Sequence, residues 1–280
     1  MPVYLKLLGD EQRTEAKIDW LGGGLLALSV AQILLAVTLN AGWLLGGLLT
    51  GICFIIRIRH AEHPFVRTVL FQNREYSFYL IMAFVVTGMG YALFFTTPLF
   101  LSEVHALEAS VIGLAMVPAA VVTAILNRQG GKLADKNGPS ALFYTASALM
   151  FTCFFLLSTL MGSTVWLIVC LLVLGYVGQS FMSIVMSRTI SLTLPAEQAG
   201  VGMGLLMMQN FIAGSIAMGI YSKVLDVGAT RTWNPVSSSL AGVIYSNLFF
   251  TLAILCAVVV IVFRFQLHRK PRDNQLKKEV

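Results

Sequence analysis

Charge is what this chain has least of: Asp, Glu, Lys and Arg make up 11% of its 280 residues, against about 25% in soluble globular proteins. A soluble fold of this length could not cover its surface with so few charges. Intrinsic disorder is excluded by the opposite abundance, since the AVILMFWYC set accounts for 57% of residues and the mean hydropathy is +0.81. Cysteine is nearly as scarce. Cys53, Cys153, Cys170 and Cys256 sit in apolar stretches at no redox or metal-ligand spacing, which excludes a disulfide scaffold and makes them small hydrophobes. Histidine is confined to His60, His63, His105 and His268, outside the apolar runs. His60 and His63 flank Glu62, but no third ligand lies near them in sequence, so no metal site is expected. No acidic or basic residue falls within an apolar run; Asp19, Glu108 and Arg188 come nearest. An intramembrane protease, lipid hydrolase or proton relay needs such a group at membrane depth. The chain is therefore not expected to be an enzyme, and no cofactor is expected.

What is present in abundance is long apolar sequence. The hydrocarbon core of a bilayer is about 30 Å thick and takes about 20 residues of helix to cross. Eight runs, uncharged beyond Asp19 and Glu108 at the first position of two of them, approach or exceed that length, at about residues 19–38, 42–56, 77–101, 108–127, 140–161, 164–187, 200–222 and 242–263. They lack the period-2 alternation of a membrane barrel. The expected fold is an all-α polytopic membrane protein with eight transmembrane helices. Positive charge marks the cytoplasmic side. With both termini cytoplasmic, every Lys and Arg except Lys223 and Arg231 falls on that side, which an even number of spans requires. Trp20, Trp43 and Trp166 stand near helix ends as interfacial anchors. The net charge of +6 is then a topology signal and calls for no nucleic-acid partner. The basic tail, residues 266–280, reads as a topology anchor after the last helix, with contact to anionic membrane lipid headgroups or to a regulatory partner as the alternatives. Met1 is followed by a mixed-charge segment, not a basic region and apolar core, so no signal peptide is expected and the chain begins like a cytoplasmic loop between helices.

One inter-helix segment stands out. Residues 130–139 read GGKLADKNGP. Gly130 and Gly131 permit close backbone approach, Asp135 is placed to meet the amide donors of a neighbouring helix start, Lys136 offers a partner charge, and Gly138 with Pro139 turns the chain into the next helix. On physical grounds alone it is a charged cytoplasmic hairpin or an ordinary tight turn. The segment resembles the cytoplasmic loop signature of the major facilitator superfamily, G-x-L-x-D-R-x-G, which joins the second and third helices of each six-helix half. Its position agrees, between the second and third of the last six expected helices. Residues 194–206, LPAEQAGVGMGLL, and 245–248, YSNL, are similar to the end of fourteen-helix drug:proton antiporters, among them the tetracycline efflux proteins of Gram-positive bacteria. Those antiporters carry a glutamate in the penultimate helix where this chain reads Phe211-Ile212-Ala213-Gly214-Ser215, so the resemblance points to other drugs or quaternary ammonium compounds rather than tetracycline.

The resemblance implies a domain plan: a cytoplasmic segment (1–18), a central helix pair with its loop (19–76), a C-terminal six-helix major-facilitator half (77–265) and the tail. It implies a bacterial cytoplasmic membrane, a small drug-like substrate, a proton as the coupling ion and an N-terminal half as partner. Within a half, the first and fourth helices face the central cavity. Here they offer Thr87, Tyr91, Thr96 and Thr97 on one, and Tyr176, Gln179, Ser180 and Ser183 on the other. A hydroxyl can also be satisfied by its own helix, so Gln179, with more hydrogen-bonding capacity, is the strongest single candidate. The second and fifth helices pack against the other half. They carry Pro118, which invites a kink, and Gly202, Gly204, Gln209 and Asn210. The readings that remain are drug efflux by alternating access, a half-transporter needing its partner, a truncated chain that does not transport, and a scaffolding subunit, against which the loop argues.

Overall fold

The computed structural model describes residues 19–61, 66, 68–236 and 242–276. The N-terminal segment, His63 and the side chains of the basic tail lie outside the described residues. The described chain is helical throughout, without a strand. The helices are α1 (Trp20–Thr38), α2 (Gly42–His60), α3 (Arg74–Glu103), α4 (Ala109–Thr159), α5 (Val165–Leu192), α6 (Ala196–Val227) and α7 (Val243–Leu276), with a short 3-10 turn at Thr68–Gln72 before α3. Among the described residues, seven helices are long and apolar enough to cross a membrane.

α1 and α2 form a hairpin. Asp19 caps α1 by accepting from the Gly22 amide at 3.0 Å and pairs with Arg57 near the end of α2 at 3.3 Å. Asn40 closes the opposite end by accepting from the Gly42 amide. Midway, the Ser29 hydroxyl donates to the Gly47 carbonyl at 2.8 Å, a contact close enough that a β-carbon on Gly47 would crowd Ile33. The pair leans on α6, where Gly219 faces Val37 and Thr38.

The fourth helix corrects a sequence expectation. Residues 128–139 were expected to form a loop, but the backbone stays helical through Gly130, Gly131, Asp135 and Lys136, and departs from helical angles only at Gly138 (φ 82°, ψ 164°). Fifty-one helical residues would run about 77 Å if straight, more than twice the bilayer core. They are not straight. Along residues 109–137, Asn127, Gly130 and Asp135 meet Ser180, Phe181 and Arg188 of α5 in rising order. Along residues 139–159, Met150 and Cys153 meet Gly178 and Gly175 in falling order. Two arms therefore lie along one helix in opposite directions, and the chain doubles back at Gly138-Pro139. Pro118, expected to kink its helix, keeps helical backbone angles.

The helices also extend past the apolar runs. α3 begins at Arg74, α5 continues through Arg188 to Leu192, and α7 passes Arg264. Charge-free length measures only the lipid-buried part; a helix continues into the headgroup layer because its backbone stays hydrogen-bonded and its long charged side chains reach for water.

The core lies among α3, α4, α5 and α7. Tyr76, Phe100, Phe143, Met150, Phe154 and Phe249 are fully buried, and Phe143 stacks on Phe263 with ring centroids 3.7 Å apart. A polar knot fastens one end of this core. Buried Asn234 donates to the hydroxyls of Ser158 and Thr159 at 2.9 and 3.0 Å, and the Ser246 hydroxyl donates to the Ser158 carbonyl. At the other end Asn73 caps α3 and donates to the Thr193 carbonyl at the close of α5. Cys153 and Cys256 are buried and Cys53 and Cys170 exposed; all four are free.

Gly138 has the backbone conformation that only glycine adopts without strain. Gly138→Ala is expected to destabilise the protein by about 1–3 kcal/mol, read from detergent-solubilised unfolding curves. A change within experimental error would mean that the turn tolerates a side chain.

Candidate functional site

The centre of α3 borders a cavity of about 620 Å³. Thr87, Gly90, Tyr91 and Phe94 line it from α3, successive turns of one helical face. Tyr176, Gln179, Ser180 and Ser183 face them from α5 at the same i, i+3, i+4, i+7 spacing. Thr123 from the first arm of α4 and Asn210 from α6 complete the wall. None of these side chains carries a charge. The apolar contribution is aromatic: Phe94 and Tyr176 meet edge to face at 4.7 Å between centroids, with Tyr91 next to Phe94 at 6.4 Å.

Some of the polar wall is satisfied internally. The Thr87 hydroxyl donates to Asn210 Oδ1 at 3.0 Å, Ser180 donates to Asn127 Oδ1, and Ser183 donates back to the Gln179 carbonyl at 3.1 Å. Three atoms are not. Thr123 Oγ1, the Tyr176 hydroxyl and Gln179 Oε1 are each shielded from solvent and have no hydrogen-bond partner. Tyr176 is only 8% exposed. A buried polar atom left unmet costs about 1–3 kcal/mol, so three around one cavity amount to a site with unused capacity for a guest. Two are hydroxyls that can donate or accept, and the third is an amide oxygen that only accepts.

Sequence reasoning placed Thr87, Tyr91, Tyr176, Gln179 and Ser183 on one wall, and the structure brings all five together in this cavity. Thr96 and Thr97 do not join them. Both are fully buried in the bundle, and Thr96 bonds back to the Ala92 carbonyl one turn earlier. Asn210, expected to pack between halves, lines the cavity. Gln209 and Gly202 bind α6 to α3 within the chain: Gln209 donates to the Leu80 carbonyl at 2.7 Å, and the Tyr76 hydroxyl donates to the Gly202 carbonyl at 3.1 Å. Gly204 has open space beside it and Pro118 is exposed. Thr123 and Gly90 were missed. Thr123 is a lone hydroxyl in an apolar run, and a glycine carries no chemical signal until its neighbour is known.

The signature segment is placed away from the cavity. Gly130 lies under Phe181, where a β-carbon would come within 2.6 Å of the ring, whereas Gly131 and Gly138 face open space. Asp135 forms an ion pair with Arg188 of α5, not with Lys136 or a helix start as expected. The side chains are 67% and 39% exposed, so the pair contributes little to stability; exposed pairs are worth about 0–1 kcal/mol. Its value is positional, joining the turn of α4 to α5.

The family model of the Major Facilitator Superfamily matches residues 20–218, well over half of the chain. The chain belongs to the major facilitator superfamily. Among curated relatives, Multidrug resistance protein 3 of Bacillus subtilis is 27% identical over 61% of this chain and 36% of its own length. The Multidrug transporter protein MdtP of the same organism is 30% identical over 72% of this chain and 35% of its own. The Lincomycin resistance protein LmrB of Listeria monocytogenes is 24% identical over 77% and 48%. The chain thus spans less than half the length of the curated relatives it matches. Among the described residues no cluster of three potential metal ligands occurs.

Tyr176→Phe removes a buried hydroxyl that has no partner. The empty protein is expected to keep its stability or gain up to about 1 kcal/mol, measured by unfolding in detergent without ligand. A loss above 1 kcal/mol would show that the hydroxyl is already satisfied.

Proposed function

We propose that this chain is the cavity-bearing portion of a proton-coupled exporter of drugs or other small amphipathic compounds, working by alternating access in a bacterial cytoplasmic membrane. The observation that carries this reading is the cavity: it combines an aromatic and apolar wall with three unmet hydrogen-bonding atoms and no charge, a surface suited to neutral or weakly polar guests. The names of the relatives, multidrug and lincomycin resistance proteins, point the same way.

In this reading the two arms of α4 are separate spans, so the chain crosses eight times with both termini cytoplasmic. α1 and α2 are the central pair, and residues 77–265 form one six-helix half. The partner is a second half. The first arm of α4 presents Leu114, Val117, Val121 and Ile125 along one exposed stripe, and α6 presents Met207 and Phe211. This is apolar surface flanking the mouth of the cavity, fit to meet another helix pair across a rocking interface. The acid that carries the proton belongs to that second half, since the cavity wall here has no carboxylate. The Asp135–Arg188 pair lies at the cytoplasmic end of the half and holds the turn of α4 against α5 when that side closes.

Two measurements test the reading. Cells producing the chain together with an N-terminal six-helix half should export the neutral dye Nile red faster than cells carrying empty vector; equal accumulation in both would overturn it. In the complete transporter, Asp135→Asn should slow export several-fold with membrane insertion unchanged, and the exchange Asp135→Arg with Arg188→Asp should recover much of the rate. Undiminished export by the single variant would remove the gating role from this pair.

A further inference from the structure

Two large polar side chains of the cavity wall are each seated in a notch made by a glycine on the opposite helix. Gln179 of α5 lies across α3 at Gly90: a β-carbon built there would overlap the Cδ, Nε2 and Oε1 atoms of its amide. Tyr91 of α3 lies across α6 at Gly214, where a β-carbon would overlap the ring at Cζ and both Cε atoms. Neither glycine has a positive backbone φ. Their requirement for glycine is thus the space occupied by the side chain opposite. Both notches border the same cavity, because Gly90, Tyr91 and Gln179 all line it. α3 and α6 are held at this separation by bonds outside the notch, Gln209 to the Leu80 carbonyl, Thr87 to Asn210, and the Tyr221 hydroxyl to the Gly88 carbonyl at 2.8 Å, and the start of α3 is tied to the end of α5 by Asn73 to the Thr193 carbonyl.

A side chain pressed into a backbone notch is withdrawn from the space in front of it. With the notch filled, the amide or the ring has to move, and the open side is the cavity. Next to the Gln179 notch, the nine-tenths-buried and unpartnered Tyr176 hydroxyl marks the surface that a guest would touch. Gln179 Oε1 itself has no partner, so Gly90 fixes both how far the amide stands back and where its accepting oxygen sits.

We infer that Gly90 and Gly214 are specificity-determining positioning residues: by seating Gln179 and Tyr91 they set the width of the cavity and hence the largest guest it admits. The inference rests on the cavity being the substrate site, and the test separates the two. A reporter cysteine, Ser183→Cys on the exposed edge of the cavity, is placed in a protein whose exposed Cys53 and Cys170 are changed to Ser, and it is labelled with a small methanethiosulfonate or a bulky maleimide dye. Gly90→Ala and Gly214→Ala are expected to slow the bulky reagent at least fivefold and the small one less than twofold. Adding Gln179→Ala to the first variant, or Tyr91→Ala to the second, removes the displaced side chain and should restore the bulky reagent's rate, which a misfolded protein would not do. Equal slowing of both reagents, or no recovery in the double variants, would overturn the inference. Binding of the neutral dye Nile red is measured in parallel. Weaker binding in the alanine variants with recovery in the doubles supports the size filter acting on guests. Labelling that changes while Nile red binding stays constant would preserve the notch geometry and instead overturn the assignment of the cavity as the binding site.

Discussion

A bilayer interior supplies no hydrogen bonds, so each polar atom carried into it has to find its partner within the protein. That constraint explains most of the polar architecture. Asn73 joins the start of α3 to the end of α5, Asn234 joins an outer segment to α4, Tyr76 and Gln209 join α3 to α6, and Ser29 joins α1 to α2. Each of these bonds uses a side chain on one helix to meet a backbone or hydroxyl group on another, so the bonds that satisfy the helices also fix which helices are neighbours. Against this background an unmet polar atom is informative. Thr123, Tyr176 and Gln179 each bring one to the same cavity, while Thr97, Ser147 and Thr189 hold theirs elsewhere in the bundle.

Close helix approach depends on the same economy of atoms. Where two helices carry a glycine opposite a large side chain, as at Gly90 with Gln179, Gly175 with Cys153 and Gly178 with Met150, the larger group occupies the missing volume and the backbones come together. In the core this yields tight packing. At the cavity the same device holds side chains back and leaves room. One structural rule therefore produces both the solid part of the bundle and its hollow part; the difference is whether the far side of the seated group is filled.

The turn at Gly138 shows how the charged ends of the spans are organised. The segment before it is helical because nothing before Gly138 breaks the hydrogen-bond ladder, and the reversal is concentrated in a single glycine followed by proline. Asp135 sits one turn short of that reversal. Its ion pair reaches across to Arg188 of α5, 53 positions later in the chain, and no local pattern could have named that partner. By contrast Thr87, Tyr91, Tyr176, Gln179 and Ser183 could be anticipated, because the family resemblance turns the first and fourth helices of a half towards a central cavity and these are polar residues of those two spans. The errors have a common origin. Thr96 and Thr97 lie in the same span as that wall but outside its stripe, and the helix following residue 127 continued past the end of its apolar run.

The sequence by itself determined that the protein is a helical membrane protein, roughly where its spans lie, and which side chains could form a polar face, because these follow from charge, length and period along a single chain. Only the tertiary structure decided that Asp135 meets Arg188, that Thr123 and Asn210 join the cavity, and that Gln179 is seated against Gly90 and Tyr91 against Gly214. Those outcomes depend on which helices touch and at what height, and a glycine has no meaning in that respect until the side chain opposite it is known.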